Sequence, residues 1–311
     1  MDLKNSSNKS AGKSPKVLIP VDFSQKGNLA LLVGFELGRR LNLEVMLLHA
    51  STMANPTLIP QFPDDFYGMD TESEEIEEME LEQEVNSIDE KSMESLKKRI
   101  LQLQNWEKFP NIPFDTANVP GMPEEVISEY CQLNPTPVIV MATRGLVKRK
   151  EELVGSVTAE VIDHCVAPVF TVPEEYTFTG FKNIIRICCF CYFDESGHSA
   201  IARLMEMFGN PNIKIYLFPA TDKVKGKKQT EALNSLRENL IKEYPNSEFI
   251  VPEYDPDGNL RDEFTEFFKK EEIQMILAPN KKKNLISRLF NPGLPHKILY
   301  EVDFPMLAIP V

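Results

Sequence analysis

Short apolar runs alternate with helical patterns along most of this chain. Residues 16–22, KVLIPVD, have the length of a strand and end in an acidic residue. The next segment has an apolar residue at every fourth position and predicts a helix: Leu29, Val33, Leu37 and Leu41. Residues 43–50 predict a second strand. A strand, a helix and a strand at this spacing form a βαβ unit with parallel strands, so the pattern predicts an α/β fold.

The pattern continues to residue 172. Helices are predicted at about 87–106, 124–132 and 156–165, and strands at 114–119, 137–142 and 166–172. The acidic segment 71–90 is interpreted as a solvated helix face or a mobile loop, with a partner-binding tail as the alternative. Residues 1–15 carry almost no large apolar side chain and predict a disordered tail.

The same order of elements returns after Gly180. Strands are predicted at 183–193, 213–220 and 274–279, with a helix at 259–272. The endings also match, since VAPVFTVP at 166–173 resembles DFPMLAIP at 303–310. We therefore expect two tandem domains, 16–174 and 181–311, each with a parallel five-stranded sheet. The last strands, 166–172 and 304–309, are apolar edge strands that could pair.

Composition narrows the functional classes. The chain has 311 residues, 42% hydrophobic residues and a formal net charge of -13, which disfavours nucleic acid as a partner because such proteins normally present a basic face. No apolar run approaches the roughly 20 residues that cross a membrane. A cytoplasmic protein with reduced thiols is expected, and the five cysteines are interpreted as buried structural residues: Cys131, Cys165, Cys188, Cys189 and Cys191.

Candidate site residues occur where the predicted strands of the first domain end. Open parallel sheets bind ligands beyond the carboxyl ends of their strands. Asp22 and Ala50 end two strands, and the segment 142–145, ATRG, leaves another. Gly155 and Ser156 then begin a helix whose free N–H groups suit a phosphate. Each feature alone is weak, because a Gly-Ser pair is often only a cap. Together, a carboxylate and a glycine turn suit the ribose and the phosphates of a nucleotide.

These residues resemble the nucleotide-binding signature of the universal stress protein family. The signature is Gly, two residues, Gly, nine residues and then Gly-Ser or Gly-Thr. Here it reads Ala142, two residues, Gly145, nine residues, Gly155 and Ser156, so alanine replaces one glycine. The resemblance covers nearly all of residues 16–311. It implies two flavodoxin-like or Rossmann-like α/β domains, related to the adenine nucleotide alpha hydrolases.

The resemblance also implies a ligand and its contacts. The ligand is ATP or a related adenine nucleotide, with or without Mg²⁺, held as a regulatory ligand in a stress response. The resemblance assigns adenosine and ribose contacts to Asp22, Ala50 and Ala142. The other members of the expected set are Val21, Arg144, Gly145, Gly155, Ser156 and Val157, of which the last four match phosphate contacts. His49 is interpreted as a packed strand-end residue. The last strands are expected to pair in an internal pseudo-dimer, and a homodimer of two chains stays open.

The second domain departs from this signature. Lys281 replaces the central glycine, and Pro292 replaces the glycine at the helix start and has no N–H to offer a phosphate. Asp194 is interpreted as the counterpart of Asp22. We therefore expect one nucleotide site per chain, with the second domain as a structural partner. An anion at residues 281–283 is the alternative.

Two further functional classes remain open at this stage. One is a scaffold that binds no nucleotide, and the other is a slow ATPase. The sequence has no P-loop, no kinase catalytic loop and no zinc-helix motif, and its four histidines show no ligand spacing. A binding protein is therefore favoured over an enzyme.

Overall fold

The computed structural model describes residues 14–24, 27–51, 71–143, 156–174, 176–192, 194–209, 212–220, 227–253, 266–280 and 304–311. Within these ranges, side chains are described except at 71–84, 156 and 227–229. Several predicted features therefore lie outside the described residues: residues 1–13 of the tail, Arg144, Gly145, Gly155 and residues 281–293 of the corresponding turn in the second copy.

The first half of the chain alternates strands and helices. Its elements are β1 (Lys16–Pro20), α1 (Gly27–Leu41), β2 (Glu44–Ser51), α2 (Thr71–Asn105), β3 (Phe114–Pro120), α3 (Pro123–Leu133), β4 (Ile139–Ala142), α4 (Ser156–His164) and β5 (Val169–Val172). The strands coincide with the apolar runs of the sequence to within a few residues. The acidic segment is helical, because α2 begins at Thr71 rather than near residue 87.

The second half repeats the alternation after a short 3-10 helix, Phe181–Asn183. Its elements are β6 (Arg186–Cys191), α5 (Ser196–Phe208), β7 (Lys214–Pro219), α6 (Lys227–Glu243), β8 (Glu248–Ile250), β9 (Met275–Asn280) and β10 (Met306–Pro310). Residues 266–270 are also helical.

The described strands form one ten-stranded sheet in the order β3-β2-β1-β4-β5-β10-β9-β6-β7-β8. All neighbours within each half are parallel, whereas β5 and β10 pair antiparallel, with Phe170 opposite Leu307. The predicted α/β class with five parallel strands per half is confirmed. The two sheets are nevertheless not separate, because the apolar edges β5 and β10 satisfy each other's backbone groups.

Helices cover both faces of the sheet. One apolar cluster packs beneath α1, α2, α5 and α6, and a second packs beneath α3 and α4. A Cβ atom on Gly34 would lie 2.2 Å from Ile19 Cδ1, so glycine lets α1 lie close to β1. On the first face, Arg40 of α1 donates to the Phe208 carbonyl of α5 and thereby joins the halves.

The cysteines have the structural role expected of them. All five are free and buried. Burial raises the pKa of the Cys188 and Cys189 thiols well above the ordinary value, so both stay protonated and unreactive. Within the described part of the chain, no helix is both long and apolar enough to span a membrane.

Candidate functional site

The predicted site lies where the strand order of the first half reverses. β1 pairs with β2 on one side and with β4 on the other, although β4 comes more than 100 residues later in the chain. Such a reversal leaves a crevice beyond the carboxyl ends of the two central strands. The fold therefore brings Val21 and Asp22, which follow β1, next to Ala142, which ends β4.

Helix α4 begins at the same crevice. The Thr158 Oγ1 hydroxyl donates to the Ala142 carbonyl over 3.1 Å and ties the first turn of α4 to the end of β4. Val157 and Ala50 pack against the same apolar cluster, beneath α3 and α4. The structure thus gathers six of the nine predicted residues at one end of the sheet: Val21, Asp22, Ala50, Ala142, Ser156 and Val157. Arg144, Gly145 and Gly155 lie outside the described residues.

The turn after β1 has a strained backbone. Asp22 Oδ1 accepts a hydrogen bond from the Ser24 backbone N–H over 3.0 Å. Phe23 between them has a φ of 57°, a left-handed conformation that is rare for a bulky residue. Its ring lies 4.3 Å from the His49 ring, centre to centre. Strained residues of this kind cluster at ligand sites, where the surrounding structure fixes them.

A polar cluster supports this turn from behind, and sequence reasoning missed one of its members. His49 Nδ1 lies 2.7 Å from the Val21 carbonyl, and His49 Nε2 lies 3.3 Å from Asp89 Oδ1. The Ser51 hydroxyl donates to Asp89 Oδ2. Asp89 lies on α2, so this cluster fastens the helix to the end of β2 and, through His49, to the turn. No motif marks Asp89, because its partners are 38 and 40 positions away in the sequence.

A cavity of about 390 Å³ opens beside this turn, between the beginning of α1 and the middle of α2. Its wall includes Val21, Asp22, Phe23 and Ser24. Among the described residues, no group of three or more His, Cys, Asp or Glu side chains is placed to hold a metal ion.

Asp22 and Asp194 follow the first strand of each half at slightly different distances. β1 begins at Lys16 opposite Glu44, and β6 begins at Arg186 opposite Lys214. Asp22 stands six residues after Lys16, whereas Asp194 stands eight residues after Arg186. The two carboxylates make the same backbone contact, since Asp22 Oδ1 accepts from the Ser24 N–H and Asp194 Oδ1 accepts from the Ser196 N–H over 2.9 Å. The Ser196 hydroxyl also donates to Asp194 Oδ1.

Comparison with known structures supports the fold over the whole chain. A universal stress protein from Archaeoglobus fulgidus DSM 4304 aligns over 96% of this chain and 98% of its own, with 14% identity and a TM-score of 0.65. A functionally unknown protein from Pseudomonas aeruginosa PAO1 aligns over 96% and 92%, with 10% identity and a TM-score of 0.54. These identities establish similarity of fold alone.

A third structure is a universal stress protein in complex with cAMP. It aligns over 52% of this chain and 98% of its own, with 15% identity and a TM-score of 0.30, and bears on no site here. A search of curated proteins gave no match.

A family comparison matches the sequence directly. The model of the universal stress protein family matches residues 14–173, which is 160 of the 311 residues. The matched segment contains β1 to β5 and all nine predicted site residues. The chain therefore belongs to the universal stress protein family.

Proposed function

We propose that the first half of this chain binds ATP or a related adenine nucleotide as a regulatory ligand in a stress response. The observation that carries the proposal is the convergence of Asp22, Ala142 and the beginning of α4 at the reversal of strand order. Nucleotides bind at this position in open α/β sheets.

Each part of the crevice suits a part of the nucleotide. The Asp22 carboxylate has acceptor capacity beyond its bond to Ser24 and can accept ribose hydroxyls. The first N–H groups of α4 have no partners within the helix and suit a phosphate. Ala142 is small enough for a ligand to approach the backbone. The resemblance adds Arg144, Gly145 and Gly155 to the phosphate contacts, with Mg²⁺ as an optional companion.

The division of the chain is part of the proposal. We assign 16–174 to a nucleotide-binding domain and 181–311 to a domain that stabilises the first through the β5–β10 pairing. Lys281 stands in place of the signature's central glycine in the second half and Pro292 has no N–H for a phosphate, which supports a single nucleotide site per chain. A cytoplasmic location is proposed on the acidic composition alone.

Calorimetric titration of the full chain with ATP and Mg²⁺ tests the proposal. Gly155→Val places a side chain where the backbone would approach the phosphates, and we expect affinity to fall about tenfold or more. Gly293→Val is the matched control, because Gly293 lies in the corresponding turn of the second half, and it should leave affinity unchanged.

The outcomes separate the proposal from its alternatives. Unchanged ATP affinity in Gly155→Val would contradict the assigned site. Absence of heat and of thermal stabilisation in the parent chain at millimolar ATP would favour a scaffold that binds no nucleotide.

A further inference from the structure

The cavity between α1 and α2 is distinct from the proposed nucleotide crevice. Leu31 of α1 and Leu96 of α2 line it, and both pack with the apolar cluster beneath α1 and α2. Ala50 and Val157 of the crevice pack on the opposite face of the sheet. The two spaces therefore share the turn after β1 but open on different faces.

Two cations on α2 line this cavity. Lys91 and Arg99 stand eight positions apart, a little over two helical turns, and Ser92 and Ser95 lie between them on the same wall. In the part of the chain that is described, neither Lys91 nor Arg99 has an ion-pair partner, whereas Lys97 and Lys98 of the same helix both lie near Glu94. In a protein with a net charge of -13, the wall of this cavity thus carries two cations that have no ion-pair partner among the described residues, together with the Asp22 carboxylate.

The opposite wall offers hydrogen-bond donors. The Ser24 hydroxyl oxygen is buried and has no hydrogen-bond partner among the described residues. Asn28, in the first turn of α1, also lines the cavity, and the N–H groups of a first turn favour an anion. Asp22 is the carboxylate in this wall, and its Oδ1 already accepts from the Ser24 N–H.

The corresponding helix of the second half lacks the two cations. The buried residues Met93 and Ile100 of α2 correspond to Leu233 and Leu240 of α6. In each pair the residues are seven positions apart, and all four side chains are buried. The same register places Glu231 at the position of Lys91 and Asn239 at the position of Arg99.

The two halves also differ in the packing at the beginning of their first helices, α1 and α5. A Cβ atom on Gly27 of α1 would meet only Asp22 Oδ1, at 3.8 Å. A Cβ atom on its counterpart Gly197 would lie 3.2 Å from Cys191 Sγ and 3.4 Å from Leu236 of α6. The beginning of α5 is therefore more tightly packed than the beginning of α1.

We propose that this cavity binds a small phosphate monoester, with the phosphate between Lys91, Arg99 and the beginning of α1. Two cations match the charge of about -1.5 to -2 that a phosphate monoester carries at neutral pH. A volume of about 390 Å³ lies in the range of small-molecule sites. Leu31 and Leu96 provide an apolar surface for the organic part of the ligand. The cavity shares Val21 and Asp22 with the proposed nucleotide site, but Lys91 and Arg99 are not among the residues assigned to the nucleotide.

Calorimetry on the full chain tests whether the cavity binds a phosphate monoester. The probes are glycerol 3-phosphate and inorganic phosphate, and glycerol is the uncharged control. The double variant Lys91→Glu/Arg99→Asn installs the residues of the second half, and we expect affinity for both phosphate probes to fall about tenfold or more. Lys98→Glu changes the charge of the same helix by two of the three units that the double variant changes, but outside the cavity, and it should leave affinity within about twofold. Melting temperatures within about 2 °C of the parent would establish that all variants fold.

Several results would overturn the proposal. One is the absence of binding of either phosphate probe at millimolar concentration. Another is an equal loss of affinity in Lys98→Glu, which would indicate diffuse attraction rather than a site. ATP affinity is measured in parallel and should survive the double variant, whereas phosphate-probe affinity should survive Gly155→Val. If the double variant lost ATP binding while Gly155→Val kept it, the cavity would hold the nucleotide, and both assignments would be wrong.

Discussion

The two halves of this chain share one strand order but differ at the ends of their strands. In the first half, a 35-residue α2 stands across from a strained turn, and a cavity separates them. In the second half, the 17-residue α6 brings Leu236 close to the beginning of α5. This difference in packing between the halves shows that the sheet alone defines only the region where a ligand could bind. A few side chains on the covering helices then decide whether space remains there.

The largest expected effect concerns how closely the first helix of each half approaches the sheet. Gly34 and Leu204 stand 18 residues after the beginnings of β1 and β6, and Leu204 is fully buried. Leu204→Ala should lower the free energy of unfolding by about 3 kcal/mol, because it leaves a cavity. Gly34→Ala should lower it by about 2 kcal/mol through the opposite defect, overpacking against Ile19. Urea denaturation measures both. Equal stability of Gly34→Ala and the parent would show that the helices are equally distant from the sheet.

A smaller effect is expected where the halves meet on the other face. Asn280 at the end of β9 is buried, and its Nδ2 donates to the Ile162 carbonyl of α4 over 2.5 Å. Asn280→Ala should cost about 2 kcal/mol, because it removes a buried hydrogen bond. Its counterpart Thr143→Ala should cost no more than about 0.5 kcal/mol, since the backbone bond from Thr143 N to Val172 O persists. Similar losses for the two variants in thermal unfolding would contradict this asymmetry.

The smallest effect compares the paired glycines at the helix beginnings. Gly27→Ala should raise the free energy of unfolding by about 0.5 kcal/mol, because alanine is the better helix former and the added Cβ meets no obstacle. Gly197→Ala should lower it by about 1 kcal/mol, because its Cβ would crowd Cys191. Opposite signs in parallel urea titrations would sharpen the contrast between an open and a closed half. A gain in both variants would mean that the second half is also open.

The strands could be predicted from the sequence because runs such as KVLIP and IVMA are buried on both sides and read as continuous apolar segments. The beginning of α2 could not be predicted, because residues 71–90 are mostly acidic and show no clear apolar stripe. Asp89, Lys91 and Arg99 could not be predicted as site residues for a related reason. They lie about 70 residues from Asp22 in the chain, and only the packing of α2 beside α1 brings them to the same turn.

The antiparallel pairing of β5 with β10 has a consequence for how other molecules meet this protein. Since the strands are parallel within each half, the pairing directs the carboxyl ends of the two sets of strands toward opposite rims of the sheet. The proposed nucleotide site of the first half and the corresponding end of the second half therefore face opposite directions on the same sheet.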